Sequence, residues 1–281
     1  MEIRHFSIDT PAVPPPDGDG WVQSWYGYYH RVGIGIENEI DDPNRQLEID
    51  CFLSVVADIK STGRPVRLME LGAGWGEWCM ALAGVMDYSL VPTEAEDYRC
   101  VAVEGEPYYH GIILDHFLSQ EIQGQAVLGA VTDKDGDDKY CRYNRFTGDG
   151  SYYCQGMTWG GNFGGSRLKT LALGAFHTMA RRTVKVPVWT IDHLLKYSEA
   201  HLDILHMDIQ GTEIKAIMGA KESIAAGRID YMIIGTHHPR INQELRAMLL
   251  PWYNAVLDEP PPAKDGGLGQ DGLQLWKRKG V

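Results

Sequence analysis

The chain has 281 residues, 44% hydrophobic and 23% charged, the mix of a foldable globular protein rather than a disordered one. At roughly 150 residues per domain, this length supports one large domain or two small ones, with no need of disulfide or metal staples. The net charge of -12 opposes a polyanionic partner, because nucleic-acid binders neutralise phosphates with a basic footprint.

The opening MEIRHFSIDT has no apolar h-region, and no apolar run approaches the ~20 residues of a membrane span. A cytoplasmic protein with neither a membrane nor a nucleic-acid partner is expected, and oligomeric state is invisible at this level. Pro11, Pro14, Pro15 and Pro16 make the lead extended, since proline removes a donor and fixes φ. Trp21, Trp25, Tyr26, Tyr28 and Tyr29 follow, either pinning the segment to the core or walling a ligand pocket as a lid. Residues 1–45 therefore read as an N-terminal extension, and 46–281 as the main domain. From Gln46 to Lys60, apolar residues fall at helical spacing.

From Val66 the pattern alternates. RPVRLMELG is a strand, EWCMALAGVM a helix, YRCVAVEGE a strand. A helix through Tyr109, Ile113 and Phe117 leads to a third strand, GQAVLGAVTD. Such alternation means βαβ units and a mostly parallel sheet. Residues 133–184 break the rhythm and read as an insertion, with a β-hairpin formed by KYCRYNRF and SYYCQG. A helix near TIDHLLKY, the strand LDILHMD, a helix from Glu213 to Ala225 and the strand IDYMIIGTHH resume it. After a helix at 241–249, WYNAVLDE and LQLWKRK have no helix between them and should form an antiparallel pair.

The sharpest signal is Glu70-Leu71-Gly72-Ala73-Gly74-Trp75-Gly76, between the first strand of this series and a helix. Glycines there let backbone turn tightly and approach a ligand with no Cβ in the way. The spacing G-x-G-x-G departs from the dinucleotide fingerprint G-x-G-x-x-G, which leaves an NAD-dependent enzyme as a rival. Glu70 suits a cationic ligand group better than a pyrophosphate. Glu104, ending the next strand, can accept both hydroxyls of a ribose. A ribose at one end and an ammonium or sulfonium at the other describe S-adenosylmethionine.

The second half carries Thr190-Ile191-Asp192-His193-Leu194-Leu195, the run Leu202 to Glu213, Met218-Gly219-Ala220 and Gly235-Thr236-His237. This resembles the FkbM family of class I S-adenosylmethionine-dependent methyltransferases, over about 66–240. His206, Met207 and Gln210 depart from the family's usual lysine, isoleucine and glutamate, while Asp208, Gly211 and Glu213 keep its pattern. The resemblance implies a Rossmann-like fold with a mostly parallel seven-stranded sheet, an antiparallel C-terminal strand pair and a β-rich insertion. It also implies S-adenosylmethionine as cofactor, S-adenosylhomocysteine as product and a hydroxyl acceptor on a natural product, sugar or lipid. N- or C-methylation, and a non-catalytic S-adenosylmethionine-binding protein, are the alternatives.

On this reading Glu70, Gly72, Ala73, Gly74, Gly76, Glu104 and Asp208 hold the cofactor, with Ala130 and Val131 edging the adenine by resemblance. Asp208, His237 and His238 end strands at the crevice and are the candidate catalytic residues. His237 is the favoured base because a histidine needs little pKa adjustment near neutrality. His206 reads as structural. The spacing demands no metal; magnesium at Asp208, His237 and Glu213 is the alternative, since some sugar O-methyltransferases of this fold use it. The string Asp133 to Asp138 fails the calcium-loop pattern at positions six and twelve, and five cysteines without a C-x-x-C pair fit neither a disulfide framework nor a zinc ribbon.

Overall fold

The computed structural model describes residues 1–6, 14–16, 21–31, 43–88, 97–144, 183–261 and 271–281. In chain order they form β1 (Trp21–Gln23), β2 (Tyr29–Arg31), α1 (Pro43–Lys60), β3 (Val66–Leu71), α2 (Glu77–Asp87), β4 (Tyr98–Glu104) and α3 (Pro107–Ser119). Next come β5 (Gly124–Leu128), β6 (Ala130–Val131), β7 (Gly136–Asn144), β8 (Thr183–Trp189), α4 (Ile191–Leu194), β9 (Leu202–Met207), α5 (Glu213–Met218) and α6 (Lys221–Ala225). The last elements are β10 (Ile229–Thr236), α7 (Pro239–Leu249), β11 (Tyr253–Glu259) and β12 (Gly272–Arg278).

Seven strands form the main sheet, in the order β11-β12-β10-β9-β3-β4-β5. The five from β3 to β10 run parallel, while β12 is antiparallel to both β10 and β11. Helices cover both faces, so the central strands are apolar on both sides rather than alternating; all six residues of β9 are buried. Phe52, Val56, Trp78 and Leu82 build the core on one face, and Leu194, Leu205, Leu245 and Trp276 on the other. The chain leaves β3 toward β4 and returns on its other side as β9. Loops after β3 and β9 therefore diverge and open a crevice at the carboxyl ends.

The third expected strand is two. At Gly129 (φ +156°) an added Cβ would lie 2.3 Å from the Trp189 indole nitrogen, so only glycine admits that ring. The chain then leaves the main sheet, and β6 joins β7 and β8 in a separate three-stranded sheet. KYCRYNRF does supply β7, but its partner is β8, not SYYCQG, which lies outside the described residues. Strand β8 is masked in the sequence by Pro187, a residue that interior strands exclude. It is tolerated here because the ladder shifts register between Gly136 and Tyr140, beside it. The single helix expected over Glu213–Ala225 breaks at Gly219, where a Cβ would meet the Thr132 carbonyl oxygen at 2.3 Å.

The aromatic segment is a strap. Trp25 and Tyr26 are buried in the core beside α1 and α2. Tyr28 donates to Asp87, the Tyr29 N–H to Gln120, and His30 faces Trp75 of the glycine loop. These contacts fasten residues 21–31 to α2, α3 and the outer side of that loop, which is the core-pinning reading of the aromatics. No helix among the described residues is long and apolar enough to cross a membrane.

Candidate active site at the carboxyl ends of the sheet

The glycine loop turns through the left-handed region three times, at Gly72 (φ +74°), Gly74 (φ +55°) and Gly76 (φ +84°). A Cβ on Gly72 would stand 1.9 Å from the Asp208 carbonyl oxygen, so β9 can close against the loop only if this position is glycine. The N–H groups of Gly72 and Ala73 both donate to the Val103 carbonyl, which holds the turn against β4.

The acids on either side of the loop are buried. Glu70 accepts from the N–H groups of Trp78 and Cys79, at 3.1 and 3.0 Å, and so caps α2, which starts after a glycine without any side-chain cap. Both its oxygens face the helix rather than the crevice. The contact expected with a cationic ligand group would require breaking those bonds. Glu104 accepts from the N–H groups of Gly74 (2.8 Å) and Glu106 (2.7 Å), tying the loop to the end of β4. Burial pushes both carboxyls up to about 7. Gly72, Val103, Gly105, Gly129, Ala130, Val131, Ile209 and Thr212 line a small open crevice beside them. Ala130 and Val131 are among these lining residues.

Also at the carboxyl ends of the sheet, Asp208 follows β9 and His237 follows β10. The imidazole of His237 is bracketed: Nδ1 is 2.9 Å from Glu213 Oε1, Nε2 is 3.0 Å from Asp208 Oδ1 and 3.7 Å from Asp271 Oδ2. Burial alone would lower its pKa, but the carboxylates of Asp208 and Glu213 outweigh it and hold the ring well above its usual value. The expectation that His237 needs little adjustment is therefore corrected: its surroundings stabilise the charged ring. Burial alone would raise the Asp208 carboxyl, and His237 outweighs that too, keeping it ionised. Partial desolvation pushes the half-exposed Asp271 up to about 6.

His238 points elsewhere. It is exposed, and its Nδ1 accepts from the Arg240 N–H at 3.1 Å, capping α7 with Pro239 in the first turn. As adjacent strand-end residues, His237 and His238 diverge, and only His237 enters the cluster. His206 is structural as expected: it is buried, stacked on Trp78 at 4.8 Å and 3.0 Å from Glu48 on α1.

Three participants escaped the sequence reading. Asp271 stands beside a Pro/Gly-rich stretch with no periodicity to mark it. Glu48 lies in the second turn of α1, where no motif marks it. Gln210 registered only as a departure; its backbone is left-handed (φ +53°), and its amide donates to Asp208 Oδ1 at 3.2 Å. A non-glycine residue held at positive φ costs about 1–3 kcal/mol, and here it orients a candidate catalytic carboxylate.

A glycine turn after the first parallel strand of the sheet, an acid ending the second, and a sheet edged by β12 and β11 define a class I methyltransferase. The Methyltransferase FkbM domain model matches residues 79–255, more than half of the chain, and the chain belongs to that family. It is an S-adenosylmethionine-dependent methyltransferase. No curated protein is similar to it in sequence. Solved structures are similar to it at low identity. An rRNA methylase from Streptococcus thermophilus is 8% identical, with 82% of this chain and 96% of that chain covered and a TM-score of 0.44. The N-terminal domain of human METTL16 is 10% identical, with 84% and 70% covered and a TM-score of 0.44. Precorrin-6y C5,15-methyltransferase from Geobacter metallireducens is 8% identical, with 87% and 93% covered and a TM-score of 0.42.

Proposed function

We propose that this enzyme methylates a hydroxyl of a small-molecule acceptor, a natural product, sugar or lipid. The observation that carries the reading is the ionised Asp208 beside His237, one residue before Ile209 of the glycine-lined crevice. S-Adenosylmethionine supplies an electrophilic methyl group when bound. The turn fits it: the loop Gly72, Ala73, Gly74 and Gly76 brings bare backbone to the crevice at Gly72, and Glu104 offers a buried carboxylate for ribose hydroxyls. Ala130 and Val131 edge the adenine, and Glu70 acts indirectly by fixing α2 behind the loop.

Methyl transfer from a sulfonium is an in-line displacement, so the acceptor oxygen must be aligned and lose its proton as the C–O bond forms. The Asp208 carboxylate, kept ionised by the charged His237 ring, is the proton acceptor, and it also orients the acceptor hydroxyl. A small, uncharged or polyhydroxylated acceptor is favoured by the charges present. Glu48, Asp208, Glu213 and Asp271 gather at this end, and a phosphate backbone would be repelled there. The transferase unit is 46–281, with 1–45 an extension strapped onto it. Cys51, Cys79 and Cys100 are free and buried, which fits a reducing cytoplasm.

The test is calorimetric titration with S-adenosylmethionine, followed by S-adenosylhomocysteine release against a panel of hydroxylated compounds. Glu104→Ala should weaken cofactor binding about 10–100-fold, the worth of hydrogen bonds to a charged group, in a folded protein. Unchanged affinity would remove the ribose assignment. Turnover only with amine or carbon acceptors would overturn the hydroxyl assignment.

A further inference from the structure

Two groups of one histidine and two aspartates stand at opposite ends of β9 and β10: His201, Asp203 and Asp230 at the amino ends, and Asp208, His237 and Asp271 at the carboxyl ends. In the first, Arg64, Arg67 and Arg278 neutralise the carboxylates. In the second, no arginine or lysine among the described residues pairs with a carboxylate. Its donor atoms, Asp208 Oδ1, His237 Nε2 and Asp271 Oδ2, lie within 4.8 Å of one another. Cation bonds of about 2.0–2.2 Å to nitrogen and oxygen put neighbouring ligand atoms about 3.0–3.6 Å apart. The two contacts to Nε2, 3.0 and 3.7 Å, bracket that spacing.

The histidine is also prepared as a ligand. The His237 side chain is 11% exposed, and Nε2 is buried with no hydrogen bond of acceptable geometry. Its Nδ1 is taken by Glu213, a fully buried carboxylate that is in turn held by the Gly211 N–H at 2.9 Å. A carboxylate on the far nitrogen is the usual outer partner of a metal-bound histidine, because it fixes ring orientation and aims the near nitrogen at the ion. Gln210 plays the same orienting part for Asp208.

We infer that Asp208, His237 and Asp271 form a binding site for a divalent first-row transition cation, with Glu213 as the outer partner of His237. The imidazole donor beside two carboxylates favours manganese or zinc over magnesium, which prefers oxygen ligands alone. The site lies at the acceptor end of the crevice, where a cation would offset the clustered carboxylates, but its existence does not depend on the methyl-transfer reading.

The experiment uses the full chain, stripped with chelator and free of S-adenosylmethionine, titrated with Mn²⁺ by calorimetry and by electron paramagnetic resonance, with Zn²⁺ and Mg²⁺ in parallel. One Mn²⁺ per chain is expected, with Mg²⁺ weaker. Asp271→Asn and His237→Gln should each weaken binding at least about tenfold, and Glu213→Gln about 10–100-fold, while His201→Gln leaves it unchanged. Asp271 is 52% exposed, so Asp271→Asn should keep its fold, which a melting curve verifies. No stoichiometric binding, binding indifferent to Asp271→Asn, or binding lost with His201→Gln would each overturn the site. Because no cofactor is present, such a failure leaves the methyltransferase assignment standing, and a failed acceptor screen leaves the cation site standing.

Discussion

The two ends of β9 and β10 use the same residue types for opposite purposes. At the amino ends, Arg278 donates to Asp230 at 2.9 and 3.0 Å, Arg64 lies 3.3 Å from both Asp203 and Asp230, and the Arg67 N–H donates to Asp203 at 3.0 Å. Every carboxylate there meets a guanidinium, and the result is a clamp joining β3, β9, β10 and β12. At the carboxyl ends, Asp208, Glu213 and Asp271 share one imidazole, and Asp208 is 42% exposed on its side chain. Carboxylates concentrated around one ring cost stability through mutual repulsion, and such strain is characteristic of sites that bind or react. The contrast marks one end as built to hold the fold and agrees with the chemistry proposed for the other.

That contrast can be broken by substitution. Gly72→Ala has the largest expected effect, since its methyl would strike the Asp208 carbonyl. Displacing the loop by about an ångström should cost at least about a hundredfold in S-adenosylmethionine affinity, or prevent folding; calorimetry and a melting curve separate the two. Normal affinity would show that loop and β9 are not coupled. Asp230→Ala comes next. It strips Arg278, Arg64 and His201 of a 2%-exposed carboxylate, and should cost about 2–4 kcal/mol in denaturant unfolding.

Lys60 sharpens the comparison with the smallest effect. It ends α1 near the amino ends, is 1% exposed, finds no hydrogen-bond partner for its Nζ among the described residues, and is pushed down to about 8 by burial. The unfolded chain therefore holds this proton more tightly than the folded one. Stability from this group is lowest below pH 8 and rises between about pH 8 and 10.5. Lys60→Met should stabilise the protein by about 1–3 kcal/mol near neutrality and flatten that rise. An unchanged pH profile would mean the amine finds a partner on folding.

Most of the sheet was legible because its strands are short apolar runs separated by glycine turns, a pattern that parallel burial enforces. Strand β8 was hidden by Pro187, whose tolerance depends on a register shift that only pairing with β7 reveals. Gly72, Gly74, Gly76 and Glu104 could be placed because local spacing governs a turn. Glu70 shows the limit: an acid before a glycine loop can serve a ligand or the next helix, and its direction is settled only by α2 packing above it. The charge state of His237 was illegible for the same reason. It is set by Asp208 and by Glu213, 24 residues away, which meet the ring only once β10 pairs with β9.

The central claim, that one end of these strands holds the fold and the other does the chemistry, is tested most directly by comparing Asp208→Asn with Asp230→Asn. Each would be measured for turnover, as S-adenosylhomocysteine released in the presence of a working acceptor, and for melting temperature. Asp208→Asn should lose about 10²–10⁴-fold in turnover with little change in melting. Asp230→Asn should melt earlier yet turn over normally per folded molecule. Normal turnover in Asp208→Asn, or a catalytic loss in folded Asp230→Asn, would contradict the account.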